Sequence, residues 1–301
     1  MRAKRTVQGV SPLAIVLAVP AVALAAIGVR ASAESGEATR RPAAVPSKAP
    51  TAPPFPPVGR PPVPGNWEIV ARYTFDRGLD TGQVPDDSGH GHTLQVASRN
   101  GGRIVAATQG AGLAVRYPRP CRPRPVVRSA GPDCPRAVLQ ARSSDDLNPG
   151  TRPFSWGAMV QLPATATSPG ENILQKGLRA PMGQFKLQVD GVAGYPSCVI
   201  TETRTESFHE AFGQVTIADG GWHRVDCVRT RDRLAIFVDG YVNDIRLIPV
   251  DLRVSNSMPL RIGGKGVWRG NDQFNGAVDN VYVAVAQTPV GAPGTGAPTG
   301  P

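Results

Sequence analysis

Apolar and polar residues alternate along most of this chain between about Asn66 and Gln287. In GNWEIVARYTFD, Trp67, Ile69, Ala71, Tyr73 and Phe75 share one parity. FSWGAMVQLP places Phe154, Trp156, Ala158 and Val160 on one side; GQFKLQVDG does the same with Phe185, Leu187 and Val189, and DRLAIFVDG with Leu234, Ile236 and Val238. MPLRIGG and FNGAVDNVYVAVA continue the series. A period of two, bounded by Gly, Pro, Asn and Asp, marks a half-buried strand. No helix-length stretch of the body carries a clean 3.6 period. Many short strands at regular spacing predict an all-β fold, a two-sheet antiparallel sandwich, and the length of the body favours a jelly roll with an ample core.

One segment ties the strand pattern to the cysteines. In WHRVDCVRT, Val225 and Cys227 share one face while Arg224, Asp226 and Val228 share the other. RTRDR reads as a charged hairpin turn, and LAIFVDG returns antiparallel to an Asp-Gly turn. Cys227 therefore points inward in mid-strand. The four Cys allow three connectivities. Cys121 and Cys134 bracket a Pro- and Arg-rich loop, and Cys198 lies in the strand-like GYPSCVITE. The simplest pairing is Cys121–Cys134 and Cys198–Cys227, the second tying two adjacent strands. Each bridge is worth about 3 kcal/mol. With no C-x-x-C motif, their role is structural rather than redox.

The ends differ in composition. A cationic head, MRAKRT, precedes a 20-residue apolar run from Val10 to Val29 and then Ala31-Ser32-Ala33. Residues 1–33 read as a secretory signal with an A-x-A cleavage site. The run is also long enough to serve as an uncleaved signal anchor. Either reading exports the rest, so the cysteines face an oxidising, extracellular compartment, and contact with a membrane requires the segment to stay uncleaved. Residues 34–65 form a Pro/Ala-rich spacer, residues 66–288 the body, and residues 289–301 a disordered tail.

Net charge is +10, but local. Residues 1–33 hold four basic residues and no acids; the spacer sets Arg40, Arg41, Lys48 and Arg60 against Glu34 and Glu37; and Arg116 to Arg142 holds seven arginines against Asp133. These contribute +4, +2 and +6, which leaves −2 for the remainder. No basic stripe with interleaved aromatics exists, so nucleic acid is not an expected partner, and the Arg-rich stretch reads as a solvated, Pro-stiffened loop.

Four segments in order carry a resemblance: YTFD with PDDSGHGHTL, then WHRVDCVRTRDRLAIFVDG, MPLRIGGKG, and FNGAVDNVYV. Together they resemble the laminin G-like domains of the concanavalin A-like lectin/glucanase superfamily, in the form found in secreted actinobacterial proteins, with His90 standing where those domains usually carry Asn. The resemblance covers about residues 66–288. It implies a jelly roll of two antiparallel sheets, one concave. It also implies a structural calcium between the N-terminal strand, the Ser-Gly loop and the closing strand, at Asp76, the loop containing Asp86, Asp87, Ser88 and Gly89, and Asp279. The plain alternative is that Asp86, Asp87 and Ser88 form Asx-type turns and Asp279 caps a strand end. Asp190 and Asp239 read as turn residues.

Catalytic chemistry is hard to place. The E-x-D-x-x-E strand of the glucanase branch is absent; Glu202 and Glu206 in ITETRTES come closest, with Arg204 between them, and read as a solvated strand face. HEAFG at His209 lacks the second His of a zincin, and there is no G-x-S-x-G or P-loop. His223 reads as a packing or hydrogen-bonding residue. Trp67, Trp156 and Trp222 sit at core parities. Trp268 lies in a Gly-rich loop and, with Arg269, Asn271, Asp272 and Gln273, makes a sugar- or peptide-facing cluster; the alternative is a loop whose Trp folds back onto the sheet. The expectation is a secreted, non-catalytic binding or adhesion module for an extracellular polysaccharide or cell-surface protein. A hydrolase of the same fold with an atypical site and a structural envelope protein without a ligand are the alternatives, since fold alone does not choose.

Overall fold

The computed structural model describes residues 66–121, 134–179 and 183–287. The predicted leader, spacer and tail lie outside them, as does most of the Arg-rich loop. The strands are β1 (Trp67–Tyr73), β2 (Gln83–Val84), β3 (Leu94–Arg99), β4 (Val105–Gln109), β5 (Gly112–Arg116), β6 (Arg136–Ala141), β7 (Phe154–Gln161) and β8 (Gly170–Gly177). They continue with β9 (Gln184–Asp190), β10 (Tyr195–Thr201), β11 (Phe208–Phe212), β12 (Trp222–Arg229), β13 (Arg233–Val238), β14 (Tyr241–Leu247), β15 (Leu260–Ile262) and β16 (Ala277–Ala286). One 3₁₀ turn, Ala164–Ala166, interrupts them. Two eight-stranded antiparallel sheets result. The first runs β14-β13-β12-β7-β16-β5-β4, with β1 also paired to β16; the second runs β11-β10-β9-β8-β15-β6-β3-β2. The expected all-β sandwich is therefore present.

The two sheets meet through the residues whose alternation predicted them. Phe154 and Trp156 of β7 stack with ring centroids 4.7 Å apart, and Phe185 of β9 lies 5.3 and 5.4 Å from them. Leu187, Val189, Ile236, Val238 and Ile262 are buried in the same core. Parity fails where a bulge intervenes. In β1 the register shifts between Ile69 and Ala71, so Val70 and Ala71 are both buried. Trp67 and Trp222, expected in the core, sit at strand starts and remain partly exposed. The Asp-Gly turn after β13 has Asp239 at φ 53° and Gly240 at φ 83°, the two left-handed positions of a type I′ hairpin.

Both disulfides form as paired, with Cα separations of 5.5 Å for Cys121–Cys134 and 5.6 Å for Cys198–Cys227. One expectation is corrected: Cys198 is in β10 of the second sheet and Cys227 in β12 of the first. The bridge crosses the sandwich instead of joining neighbouring strands, because β11 and the loop after it carry the chain from one sheet to the other.

The face of β12 that carries Arg224, Asp226 and Val228 holds a buried carboxylate. Asp226 is buried, accepting hydrogen bonds from Arg224 Nε at 2.8 Å and the Tyr282 hydroxyl at 2.9 Å. Buried Arg229 donates to the carbonyls of Arg152 and Leu252. Lys176, on the inward parity of β8, is also buried: its ammonium donates to Ser143 Oγ, the carbonyl and side-chain oxygens of Asn256, and the Met258 carbonyl, at 2.9 to 3.2 Å. Among the described residues no helix is long and apolar enough to cross a membrane.

Candidate ligand-binding groove

The outward parity of β9 is Gln184, Lys186, Gln188 and Asp190, opposite the core residues Phe185, Leu187 and Val189. Antiparallel register extends this parity across the sheet. Gln95 pairs with Gln140, Gln140 with Arg261, Arg261 with Gln175, Gln175 with Lys186, Lys186 with Val199, and Val199 with Glu210. Directly paired residues project to the same side, and strands lie about 4.8 Å apart. Seven strands thus carry one transverse row, polar except at Val199 and about 29 Å long. A cleft of about 420 Å³ lies over its middle, lined by Gln175, Gln184, Lys186, Gln188, Asp190 and Phe208 among others. A second, of about 480 Å³, lies over the end that holds Gln95 and Gln140.

Within the first cleft the polar groups hold one another in place. Ser197 Oγ donates to Asp190 Oδ2 at 2.5 Å, and Gln188 Nε2 reaches both Asp190 oxygens at 2.8 Å. Lys186 Nζ donates to Gln188 Oε1, and Lys265 pairs with Asp272 at the wall. Burial pushes the Lys186 ammonium below its ordinary range, against the pull of Asp190. Burial also raises the Glu210 carboxyl, with the Asp190 charge adding to the rise. Asp190, read as a turn residue, therefore ends β9 with its carboxylate inside the cleft. Lys186, Gln188 and Glu210 were not singled out from sequence, since alternating polar residues on a strand look the same over water as over a groove.

Trp268 does both things proposed for it. Its ring packs on Gly266, where an added Cβ would stand 2.0 Å from Cζ3, and under the Arg261 guanidinium at 5.6 Å from the centroid. It still remains 40% exposed. Arg269 is exposed beside it, and Asp272 lines the cleft. Asn271, expected to face a ligand, is turned inward: its Nδ2 donates to the Gly266 carbonyl at 2.7 Å and to Gln273 Oε1 at 3.2 Å, holding the loop closed. Gln273 is likewise spent on the backbone of Ala137 and Gly263.

The residues suggested for calcium divide. Asp279 is buried in β16, and burial together with the nearby Asp76 carboxylate pushes it up to about 7. Asp76 Oδ1 accepts from the Leu113 amide at 2.8 Å. Asp87 is engaged elsewhere, accepting from Thr74 N and Oγ1 on one oxygen and Arg77 on the other. Gly89 supplies a turn at φ 92°, and Asp86 forms an Asx-type turn with Ser88. Asp279 in turn accepts from the Asn280 amide on Oδ1 and from Asn280 Nδ2 on Oδ2.

Glu202 and Glu206 do not share a strand. β10 ends at Thr201, and Glu202 closes the following turn by accepting from Arg204 N at 2.7 Å and Thr205 N at 2.5 Å. These bonds outweigh burial and hold it at about 2. His223 lies between Asp239 and Asp219, at 2.8 and 3.0 Å, a hydrogen-bonding post at the end of β12.

Beneath the cleft, Glu171 of β8 faces inward and accepts from the Asn275 amide at 3.0 Å. Burial raises it to about 8. A carboxyl raised above its unfolded value is neutral in the fold while the unfolded chain ionises. Its contribution is thus favourable below pH 4.5 and lost as pH rises from 4.5 to 8. At pH 7 the penalty is about 3 kcal/mol. Glu171→Gln is expected to narrow the fall in urea midpoint across that window; parallel wild-type and variant curves would contradict it.

No protein-family model matches the chain, and no curated protein matches it. Solved structures share its fold, two of them as follows. One is the binding domain of Paraclostridial mosquitocidal protein 1, at 12% identity and a TM-score of 0.51, over 73% of this chain and 49% of that one. The other is domain 4 of AbnA, an extracellular GH43 arabinanase from Geobacillus stearothermophilus in complex with arabinotriose, at 15% identity and a TM-score of 0.51, over 73% of this chain and 94% of that domain. The chain spans about half the length of the first and nearly all of the second. At such identities the likeness is one of fold: an antiparallel β-sandwich.

Proposed function

We propose that this protein is a secreted, non-catalytic binding module that recognises an extracellular polysaccharide along the outer face of its second sheet, as a laminin G-like domain would. The observation that carries this reading is the transverse row of amide and charged side chains, Gln95, Gln140, Arg261, Gln175, Lys186 and Glu210, of which Gln95 and Gln140 line one cleft and Gln175 and Lys186 the other. Sugars offer many hydroxyls that both donate and accept, and fixed amides, carboxylates and ammonium groups match them without reorganising. Trp268 adds an exposed aromatic face. The AbnA domain bound to arabinotriose lends support from a protein of the same fold.

The test is a binding screen of the full chain, disulfides intact, on a glycan array and on cell-wall polysaccharides, with calcium and with a chelator. Saturable binding to one glycan class supports the reading. Silence on every glycan, with capture by a cell-surface protein, moves it to the protein partner held as the alternative. A hydrolase remains the second reading, because Asp190 lines the cleft and Glu210, close enough to feel its charge, has its carboxyl raised by burial and by that charge. Release of reducing ends from a bound polysaccharide, abolished in Glu210→Gln, would establish it.

Calcium belongs to the same proposal as a structural cofactor held by Asp76 and Asp279. Saturating Ca²⁺ is expected to raise the unfolding free energy by about 3 kcal/mol at a hundredfold excess over its dissociation constant, and Asp279→Asn is expected to remove that rise. A melting curve indifferent to both calcium and chelator retires the ion.

A further inference from the structure

His90, His92 and Asp146 make a cluster of their own beside the Gln95–Gln140 end of the row. Each offers one ligand atom, and the three atoms lie within 4.8 Å of one another. His90 Nδ1 is 2.9 Å and His92 Nε2 2.8 Å from the same Asp146 oxygen, Oδ2. We propose that these three side chains form a binding site for a divalent transition metal of the zinc class, with two imidazole nitrogens and one carboxylate oxygen as protein ligands and a further position open to the cleft over Gln95 and Gln140.

Several features go beyond a chance meeting of hydrogen bonds. Two imidazoles and one carboxylate, with a remaining position free, is a donor set suited to zinc and its neighbours, whereas calcium takes oxygens alone. The ring nitrogen of His90 that is not used faces Glu68 Oε1 at 3.1 Å. A ligating imidazole characteristically hands its other N–H to a carboxylate, which fixes the tautomer and raises the basicity of the ligand. Asp146 is anchored as well, its Oδ1 accepting from the Leu147 amide at 3.0 Å. The backbone at His92 is clamped on both sides, its amide donating to Asp86 Oδ2 and its carbonyl accepting from the buried Tyr73 hydroxyl at 2.7 Å. Gly91, at φ 80° between the two histidines, makes the turn that sends both rings toward Asp146. His90 and His92 also line the cleft of about 480 Å³, which gives an exogenous oxygen or nitrogen donor access to the open position.

The metal would join the N-terminal strand, through Glu68, to the loop after β2 and to the loop between β6 and β7. The Asp76–Asp279 pair lies outside this cluster, and the donor chemistry separates the two sites.

The experiment uses the full chain made without a polyhistidine tag, stripped with a chelator and returned to excess Ca²⁺ so that all-oxygen sites are filled. Titration with Co²⁺ is expected to develop visible d–d absorption that saturates at one equivalent and disappears when Zn²⁺ is added. His90→Gln, whose ring is a quarter exposed, His92→Gln and Asp146→Asn are each expected to abolish the band. Glu68→Gln is expected to keep the one-to-one stoichiometry while weakening the metal about 10- to 100-fold. Melting curves confirm that each variant folds; if His92→Gln does not, His90→Gln and Glu68→Gln carry the test. No band with the wild-type chain, a band unchanged in His90→Gln and Asp146→Asn, or a band lost instead in His209→Gln or His223→Gln would overturn the assignment.

Discussion

Asp190→Ala is expected to weaken glycan binding about ten- to a hundredfold and to lower the melting midpoint by a few degrees. The carboxylate ends β9 inside the cleft and accepts from Ser197 and Gln188. Both partners are buried, Ser197 fully and Gln188 nearly so, so losing the carboxylate leaves them short of a partner and costs about 1–3 kcal/mol of stability as well. A hydrogen bond to a charged group contributes about 1.5–3 kcal/mol, which converts to that range of affinity. Lys186→Met belongs to the same experiment, since Lys186 touches Gln188 and its charge faces Asp190. Trp268→Ala is expected to cost less, because the ring is half spent on Gly266 and Arg261. Isothermal titration against the glycan found in the screen measures all three. Wild-type affinity in Asp190→Ala together with lost binding in Trp268→Ala would place recognition on the rim loop and remove the groove from it.

Replacing Cys198 and Cys227 together with Ala is expected to lower stability by about 3–4 kcal/mol, near 10 °C in melting midpoint. The two residues are 29 apart in sequence, and the loss of loop-closure entropy from the unfolded chain sets the size of the effect. The bridge joins the two sheets at β10 and β12, so the variant is also expected to show faster amide exchange in β10 and β11, the edge of the second sheet, than in β7 and β16 at the centre of the first. A change under about 1 kcal/mol, with uniform exchange, would mean that packing alone fixes the sheets.

The strands were legible because burial on one face imposes a period of two, which β7, β9 and β13 keep, whereas in β16 a bulge between Asp279 and Tyr282 moves the core from Val278 to Val281, Val283 and Val285. The Asp239-Gly240 turn was legible for the same local reason: left-handed backbone is cheap for those residues. The pairing of Cys198 with Cys227 could be read, but its crossing between sheets could not, since nothing in the sequence says that β10 and β12 belong to different layers. The groove was hidden for a related reason. Gln95 and Glu210 stand 115 positions apart and reach one row only through six successive registers. Glu202 and Glu206 misled because same-parity spacing means nothing once a turn begins at residue 202. His90 and His92 are neighbours in the sequence, but the carboxylate that both rings meet, Asp146, lies 54 residues beyond His92, in the loop between β6 and β7.

The buried Lys176 ammonium gathers Ser143, Asn256 and Met258 from two loops that are remote in sequence. Burial lowers it to about 8, against the pull of Asp145 and Asp146, and those oxygens supply the hydrogen bonds that water would otherwise give. The consequence is epistatic. A substitution that shifts either loop changes what the other can tolerate, and replacing Lys176 with an apolar residue strands several acceptors at once. Loops transplanted into this scaffold singly should fail where the same loops exchanged together, with a matching residue at position 176, succeed. Variation among descendants of this chain should accordingly move through these positions in concert rather than one at a time.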